Sequence, residues 1–127
     1  MKILGIGVDL IENKRIGNLI NNKSFIKRTF GKKEVQLSRK ISNKDLYFAK
    51  RFAAKESFAK ALGTGFRNNL NFKDIEILND KIGKPYYFKS IKINNIVKQK
   101  FNIKKYNLFL SISDEKDYSI AFTIVQK

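Results

Sequence analysis

Residues 51–65 read RFAAKESFAKALGTG, from Arg51 to Gly65. Ala53, Ala54, Ala59 and Ala61 are strong helix formers whose small side chains let another backbone, or a ligand, come close. Phe48, Phe52, Ala59 and Leu62 recur at helical spacing, so one stripe is expected to face a core. Upstream, Ser42 or Asn43 suits an N-cap and Asp45 the first turn, which predicts a helix from Asn43 to Leu62. Gly63 and Gly65, flanking Thr64, stop it in backbone conformations that glycine reaches cheaply. The stretch also carries charge that a packed helix does not require. Glu56 and Lys60 are four apart and share a face; Lys55 adjoins Glu56, with Arg51 one turn earlier. A solvated pair of this kind contributes roughly 0.2–0.5 kcal/mol. Chemistry here needs a second acid from elsewhere in the chain.

Such an acid lies near the N-terminus. Lys2 to Ile11 alternates as a strand, with Leu4, Ile6, Val8 and Leu10 on one face and Gly5, Gly7, Asp9 and Ile11 on the other. The apolar set is expected to be the core face. Glycine within a strand marks close approach of a ligand or another backbone, or a bulge. One reading aims Asp9 into space kept open by Gly5 and Gly7; the plainer one makes Asp9 a cap for the next element of the chain.

The remaining pattern predicts a helix over Asn13–Phe30, a short one over Lys33–Arg39, a strand over Phe72–Leu78, a turn through Asn79–Pro85 and a returning strand over Tyr86–Ile91. Ile93–Phe101 reads as helix. Leu108, Leu110 and Ile112 lie on one face of a strand, Asp114–Asp117 turns, and Ile120, Phe122 and Ile124 return. A strand, then helices, then hairpins with one more helix indicate an α+β fold, not alternating βαβ units. With no linker or repeat, residues 1–127 are read as one domain of antiparallel strands packed on the long helix.

Composition narrows the chemistry. There is no Cys, which excludes disulfides and thiolate catalysis, and no His, which removes imidazole as base, ligand or pH switch. Any metal would be held by oxygen, favouring Mg²⁺, Mn²⁺ or Ca²⁺ over Zn²⁺. No apolar run reaches about 18 residues, and the N-terminus does not resemble a secretory signal, so a cytoplasmic protein is expected. The 27 Lys and Arg against 11 Asp and Glu leave a net charge of +16, a field that attracts polyanions, phosphorylated ligands or acidic proteins. Part of the Lys excess is attributable to a Lys-, Ile- and Asn-rich compositional bias.

If Asp9 and Glu56 meet, they suit Mg²⁺, which binds through one or two carboxylates plus phosphate oxygens and water. Lys60 would then neutralise a phosphate, and Thr64 with the backbone N–H groups around Gly63 and Gly65 would add donors to an anion.

Three segments carry a resemblance: Gly5-Ile6-Gly7-Val8-Asp9-Leu10-Ile11-Glu12, the Arg51–Gly65 stretch, and Asp74–Asp80 followed by Gly83-Lys84-Pro85. In order and at this spacing, they resemble the holo-[acyl-carrier-protein] synthases, the small bacterial 4′-phosphopantetheinyl transferases. The resemblance implies transfer of 4′-phosphopantetheine from coenzyme A to a serine of apo acyl carrier protein, releasing adenosine 3′,5′-bisphosphate, a step of fatty acid biosynthesis. It implies Mg²⁺ on Asp9 and Glu56, and coenzyme A contacts from Arg51, Lys60, Thr64, Gly65, Gly83, Lys84 and Pro85. It also implies a homotrimer with sites shared between subunits. Glu56, or a metal-bound water, would take the serine proton, and Lys55 or Lys60 would assist the leaving group. Arg15 and Arg28 match positions that meet the acidic carrier protein, and Lys14, Lys23 and Lys27 would broaden that patch.

One departure stands out. Where the family usually has Ser-His, this chain has Ser113-Asp114, and an ionised Asp repels phosphate. Either Lys116 supplies the missing cation or Asp114 turns away. Two rivals remain: a basic nucleic-acid-binding module without catalysis, which needs basic and aromatic residues interleaved on one sheet face, and an assembly protein that kept the fold and lost the chemistry.

Overall fold

The computed structural model describes residues 1–67 and 69–127. In chain order the elements are β1 (Ile3–Glu12), α1 (Asn13–Leu19), α2 (Lys23–Thr29), α3 (Lys32–Ser38), α4 (Lys44–Leu62), a 3₁₀ turn (Phe72–Asp74), β2 (Ile77–Asn79), β3 (Pro85–Tyr87), α5 (Ile91–Phe101), β4 (Asn107–Asp114) and β5 (Tyr118–Gln126). β1, β5 and β4 form an antiparallel sheet in that order, and β2 and β3 form a separate antiparallel pair. The result is the expected α+β arrangement.

The long helix starts where the cap residues place it. Asn43 Oδ1 accepts from Leu46 N at 3.1 Å, and Gly63 ends α4 at a φ of 79°. Burial is not confined to one stripe. Tyr47, Ala49, Arg51, Ala53, Lys55, Ser57 and Ala61 are buried along with Phe48, Phe52 and Phe58. α4 lies against β1, β5 and α1 at once, so nearly its whole circumference is interior.

The face expected for β1 is reversed. A Cβ on Gly5 would sit 1.9 Å from Ala61 O, and one on Gly7 1.9 Å from Ser57 O. The glycines are where the backbone of α4 rests directly on the strand, and no other residue fits there. Ile6, Val8 and Leu10 point away from the helix and are exposed. In β5 the helix-facing residues are Ser119, Ala121, Thr123 and Val125, all buried. Ile120 and Phe122 join Val8 and Leu10 on the outer face, where Val8 pairs with Phe122 and Leu10 with Ile120.

Other expectations shift for local reasons. The helix predicted over Asn13–Phe30 is two helices, because Asn22 restarts the chain as an N-cap, accepting from Ser24 N at 2.8 Å and Phe25 N at 3.3 Å. The strand predicted over Phe72–Leu78 shrinks to β2, since Asp74 Oδ2 accepts from Asn71 N at 2.9 Å and winds its first residues into a turn. The strand predicted over Tyr86–Ile91 stops at Tyr87; Ser90 Oγ accepts from Ile93 N at 3.2 Å and starts α5. Asn13, unnoticed in the sequence, is buried and holds the β4–β5 turn: its Nδ2 donates to the carbonyls of Glu115 (3.0 Å) and Lys116 (3.1 Å), and its Oδ1 accepts from Ser119 Oγ at 2.6 Å.

Candidate active site

Gly7 rests on Ser57 and Ala61, so Asp9, two residues on and on the same side of the strand, reaches the next stretch of α4. There Lys60 Nζ donates to Asp9 Oδ1 at 3.2 Å and to the Val8 carbonyl at 3.0 Å. Glu56 lies one turn before Lys60, on the same face. Burial raises the pKa of Glu56 and the charge of Asp9 raises it further, with Lys60 and Arg15 pulling it down. Asp9 is also raised by burial, against the opposing effects of Lys60 and Arg15. The fold thus brings Asp9, Glu56 and Lys60 together, with Arg15 of α1 within electrostatic reach of both acids. That placement of Arg15 had no signal in the sequence, which suggested only carrier docking.

The donor set fits Mg²⁺. Two half-buried carboxylates face one space, and no third Asp, Glu, His or Cys joins them among the described residues. A site with two acids leaves coordination positions for phosphate oxygens and water.

Lys55 does not fit the role expected of it. Its Nζ is fully buried, 2.6 Å from Glu34 Oε1, and donates also to the Phe72 carbonyl (3.0 Å) and the Ile75 carbonyl. All three protons are used inside the fold. Glu34 is likewise saturated, accepting from Gly31 N at 3.0 Å and Ile77 N at 3.1 Å. Lys55 therefore ties α4 to α3 and β2, and its ammonium has none left for a leaving group. A second interior network joins Ser57 Oγ, Thr123 Oγ1 and Tyr87 Oη, at 2.6 Å and 2.7 Å from Thr123, and fixes α4 on β5.

The residues expected to meet coenzyme A fall into two groups. Arg51, Gly83 and Pro85 line a cleft of about 490 Å³ with Tyr47, Lys50 and Asp114. Arg51 Nη2 donates to Asn79 Oδ1 at 2.6 Å, and Asn79 Nδ2 donates to the Gly83 carbonyl at 2.9 Å, so the turn is laced to α4. Lys84 is exposed in that turn, its N–H donating to Asp80 Oδ1 at 2.9 Å. Thr64 lies at the other end of α4, in a cleft with Arg67, Ile96, Gln99 and Lys100, next to Gly65 at a φ of 63°. Arg51 and Thr64 are thirteen residues apart, about 20 Å along a helix.

Asp114 faces the Arg51 cleft, 4.0 Å from Lys50 Nζ. It does not turn away. Lys116 lines a neighbouring cleft with Lys14 and Asp45 instead, so the cation beside Asp114 is Lys50. Among the docking candidates, Lys14, Arg15, Lys23, Lys27 and Arg28 are all exposed on α1 and α2. Lys23 and Lys27 line a cleft of about 860 Å³ against α3.

The aromatic residues do not form a nucleic-acid platform. Phe25, Phe30, Phe48 and Phe52 pack on one another in the core. Phe109, Tyr118 and Phe122 are exposed on the outer sheet face, but that face carries no Lys or Arg on β1, β5 or β4 among the described residues. Stacking platforms combine rings with cations.

The model of the 4′-phosphopantetheinyl transferase superfamily matches residues 5–123. The chain belongs to that family. It is 59% identical over 127 residues to the holo-[acyl-carrier-protein] synthase of Pelagibacter ubique (strain HTCC1062), covering 100% of this chain and 99% of that protein. The holo-[acyl-carrier-protein] synthase structure from Neisseria meningitidis superposes with a TM-score of 0.88 at 37% identity, covering 99% of this chain and 100% of that one. The corresponding structure from Bacillus anthracis str. Ames, in complex with CoA (3′,5′-ADP), gives a TM-score of 0.81 at 32% identity over 98% of this chain and 96% of that one. No helix among the described residues is long and apolar enough to cross a membrane.

Proposed function

We propose that this protein transfers 4′-phosphopantetheine from coenzyme A to a serine hydroxyl of apo acyl carrier protein. The observation that carries this reading is the meeting of Asp9, Glu56 and Lys60 at the edge of α4, in a chain without His or Cys. The serine oxygen forms a bond to the β-phosphorus of coenzyme A, and the anhydride bond to the α-phosphate breaks. Adenosine 3′,5′-bisphosphate leaves with that electron pair. The serine proton goes to Glu56, whose raised pKa suits it to accept one. Lys60, half-exposed and held by Asp9, would neutralise charge on the departing phosphate. Asp9 and Glu56 would hold Mg²⁺, which when bound offsets charge developing on the diphosphate.

The reading includes a trimer with shared sites, and two features support it. The ligand residues are spread over clefts at the two ends of α4, and a chain of 127 residues has little surface with which to enclose coenzyme A alone. Ile6, Val8, Leu10, Phe109, Ile120 and Phe122 also leave an apolar sheet face open to solvent, a surface that marks association. Val8→Glu with Phe122→Glu is expected to give a folded monomer with little transfer activity; size-exclusion chromatography with light scattering and circular dichroism check this. A wild-type protein that is monomeric and fully active sinks the shared site. The basic residues of α1 and α2 would attract the acidic carrier, speeding encounter at low salt.

The reaction itself is tested by intact mass. Incubation with apo acyl carrier protein, coenzyme A and Mg²⁺ should add one phosphopantetheine to the carrier. An unchanged carrier mass rejects the reading.

A further inference from the structure

The interior hydroxyls beneath the sheet have no part in the transfer step, yet they sit where the two acid-bearing elements meet. Ser57, directly after Glu56 on α4, is fully buried, as is Thr123 of β5, which lies opposite Gly7 of β1. Ser57 Oγ and Thr123 Oγ1 are 2.6 Å apart, and Tyr87 Oη of β3 is 2.7 Å from Thr123 Oγ1. Ser57 Oγ also donates to the Ala54 carbonyl at 3.0 Å, and Tyr87 Oη donates to it at 2.7 Å. Among the described residues, Ser57–Thr123 is the buried side-chain hydrogen bond that joins α4 to the three-stranded sheet.

The contact that brings α4 onto β1 sets separation better than register. Gly5 rests on Ala61 and Gly7 on Ser57. Four helix residues advance about 6 Å and two strand residues about 6.6 Å. Ala53, Ser57 and Ala61 therefore form a row of small residues that matches the glycines turn for turn. A slide by one turn would set Gly5 over Ser57 and Gly7 over Ala53, again glycine against a small residue. Backbone lying on backbone fixes how near the helix comes; directional hydrogen bonds fix how far along the strand it sits.

We infer that Thr123, bonded to Ser57 and braced by Tyr87, is a positioning residue that sets the axial register of α4 on β1 and with it the spacing of Asp9 and Glu56 for a divalent cation. The assignment rests on these two acids holding Mg²⁺. Asp9 is carried by β1 and Glu56 by α4, so their separation follows any slide of one element on the other. Mg²⁺ tolerates little change, because it demands near-ideal octahedral geometry.

Calorimetric titration with Mg²⁺ alone tests this without the transfer reaction. Thr123→Val keeps the branched shape and leaves Ser57 and Tyr87 the Ala54 carbonyl as acceptor. It should raise the Kd for Mg²⁺ about tenfold, as for loss of a group that orients a metal ligand. Ser57→Ala breaks the same bond from the helix side and should do likewise, although Ala is the better helix former. Thr123→Ser, which restores the hydroxyl, should bind close to wild type. Ile93→Val in α5 is the control for lost stability; thermal melts should show it destabilised with its Kd unchanged. An unchanged Kd in Thr123→Val and Ser57→Ala, or a rise matched by Ile93→Val, overturns the assignment. A wild-type protein that binds no Mg²⁺ refutes the metal reading and the assignment with it; a binding wild type with both variants silent refutes the assignment alone.

Discussion

Glu56→Gln is expected to slow phosphopantetheine transfer by about 10²–10⁴, the range for loss of a positioned base, and to leave the protein more stable than wild type without metal. The rate loss comes from removing both a metal-holding oxygen and the proton acceptor. The stability gain comes from the sign of the shift. Glu56 has a folded-state pKa raised by burial and by Asp9. Its ionised form is therefore disfavoured in the folded protein, and stability is lost as pH rises through the carboxylate range. An uncharged Gln escapes that penalty at neutral pH, so the Tm difference should shrink in acid. Mg²⁺ should reverse the order, since a ligand at a hundred times its Kd adds about 2.7 kcal/mol to a protein that binds it. Thermal melts of both proteins with and without Mg²⁺, at pH 7 and pH 4, read all of this. Transfer within about tenfold of wild type at saturating Mg²⁺ would reject Glu56 as ligand and base.

Lys55→Met should be the most damaging interior substitution to stability, about 3–5 kcal/mol by removal of one partner from a buried ion pair. It leaves Glu34 fully buried with its desolvation uncompensated. Burial already raises the Glu34 pKa and Lys55 opposes that rise, so the variant should raise it further. A carboxylate with a raised folded pKa supports stability below its unfolded pKa and loses it as pH rises. Lys55→Met should therefore be more stable at pH 5 than at pH 8, and Glu34→Gln with Lys55→Met should recover much of the loss. Urea melts across that range decide it. A Lys55→Met protein with wild-type stability but no transfer would instead return Lys55 to a direct part in the chemistry.

Much of the site was legible because its signals were local. The spacing of Glu56 and Lys60 fixes their common face in any helix, and Gly5, Gly7 and Asp9 share one side of any strand. The errors arose where two local readings were equally allowed. Alternation in β1 defines two faces without saying which one the helix covers. The glycine face won because α4 presses its backbone there, within 1.9 Å of a would-be Cβ. Lys55 and Glu56 are neighbours in sequence but point to different surroundings, one into the core and one to the acid pair. Asp114 gave no hint of Lys50, since the pair joins the end of β4 to the middle of α4.

The sequence by itself determined the α+β class, the ends of α4 and the oxygen-only chemistry. These depend on composition, capping and periodicity, which act over a few residues. Only the tertiary structure decided which charges meet. Lys55 is internal, Arg15 stands near the acids, and Arg51 and Thr64 lie at opposite ends of one helix. The reason is that burial and electrostatic reach depend on distance in space, and β1, α1 and β4 reach α4 from far along the chain.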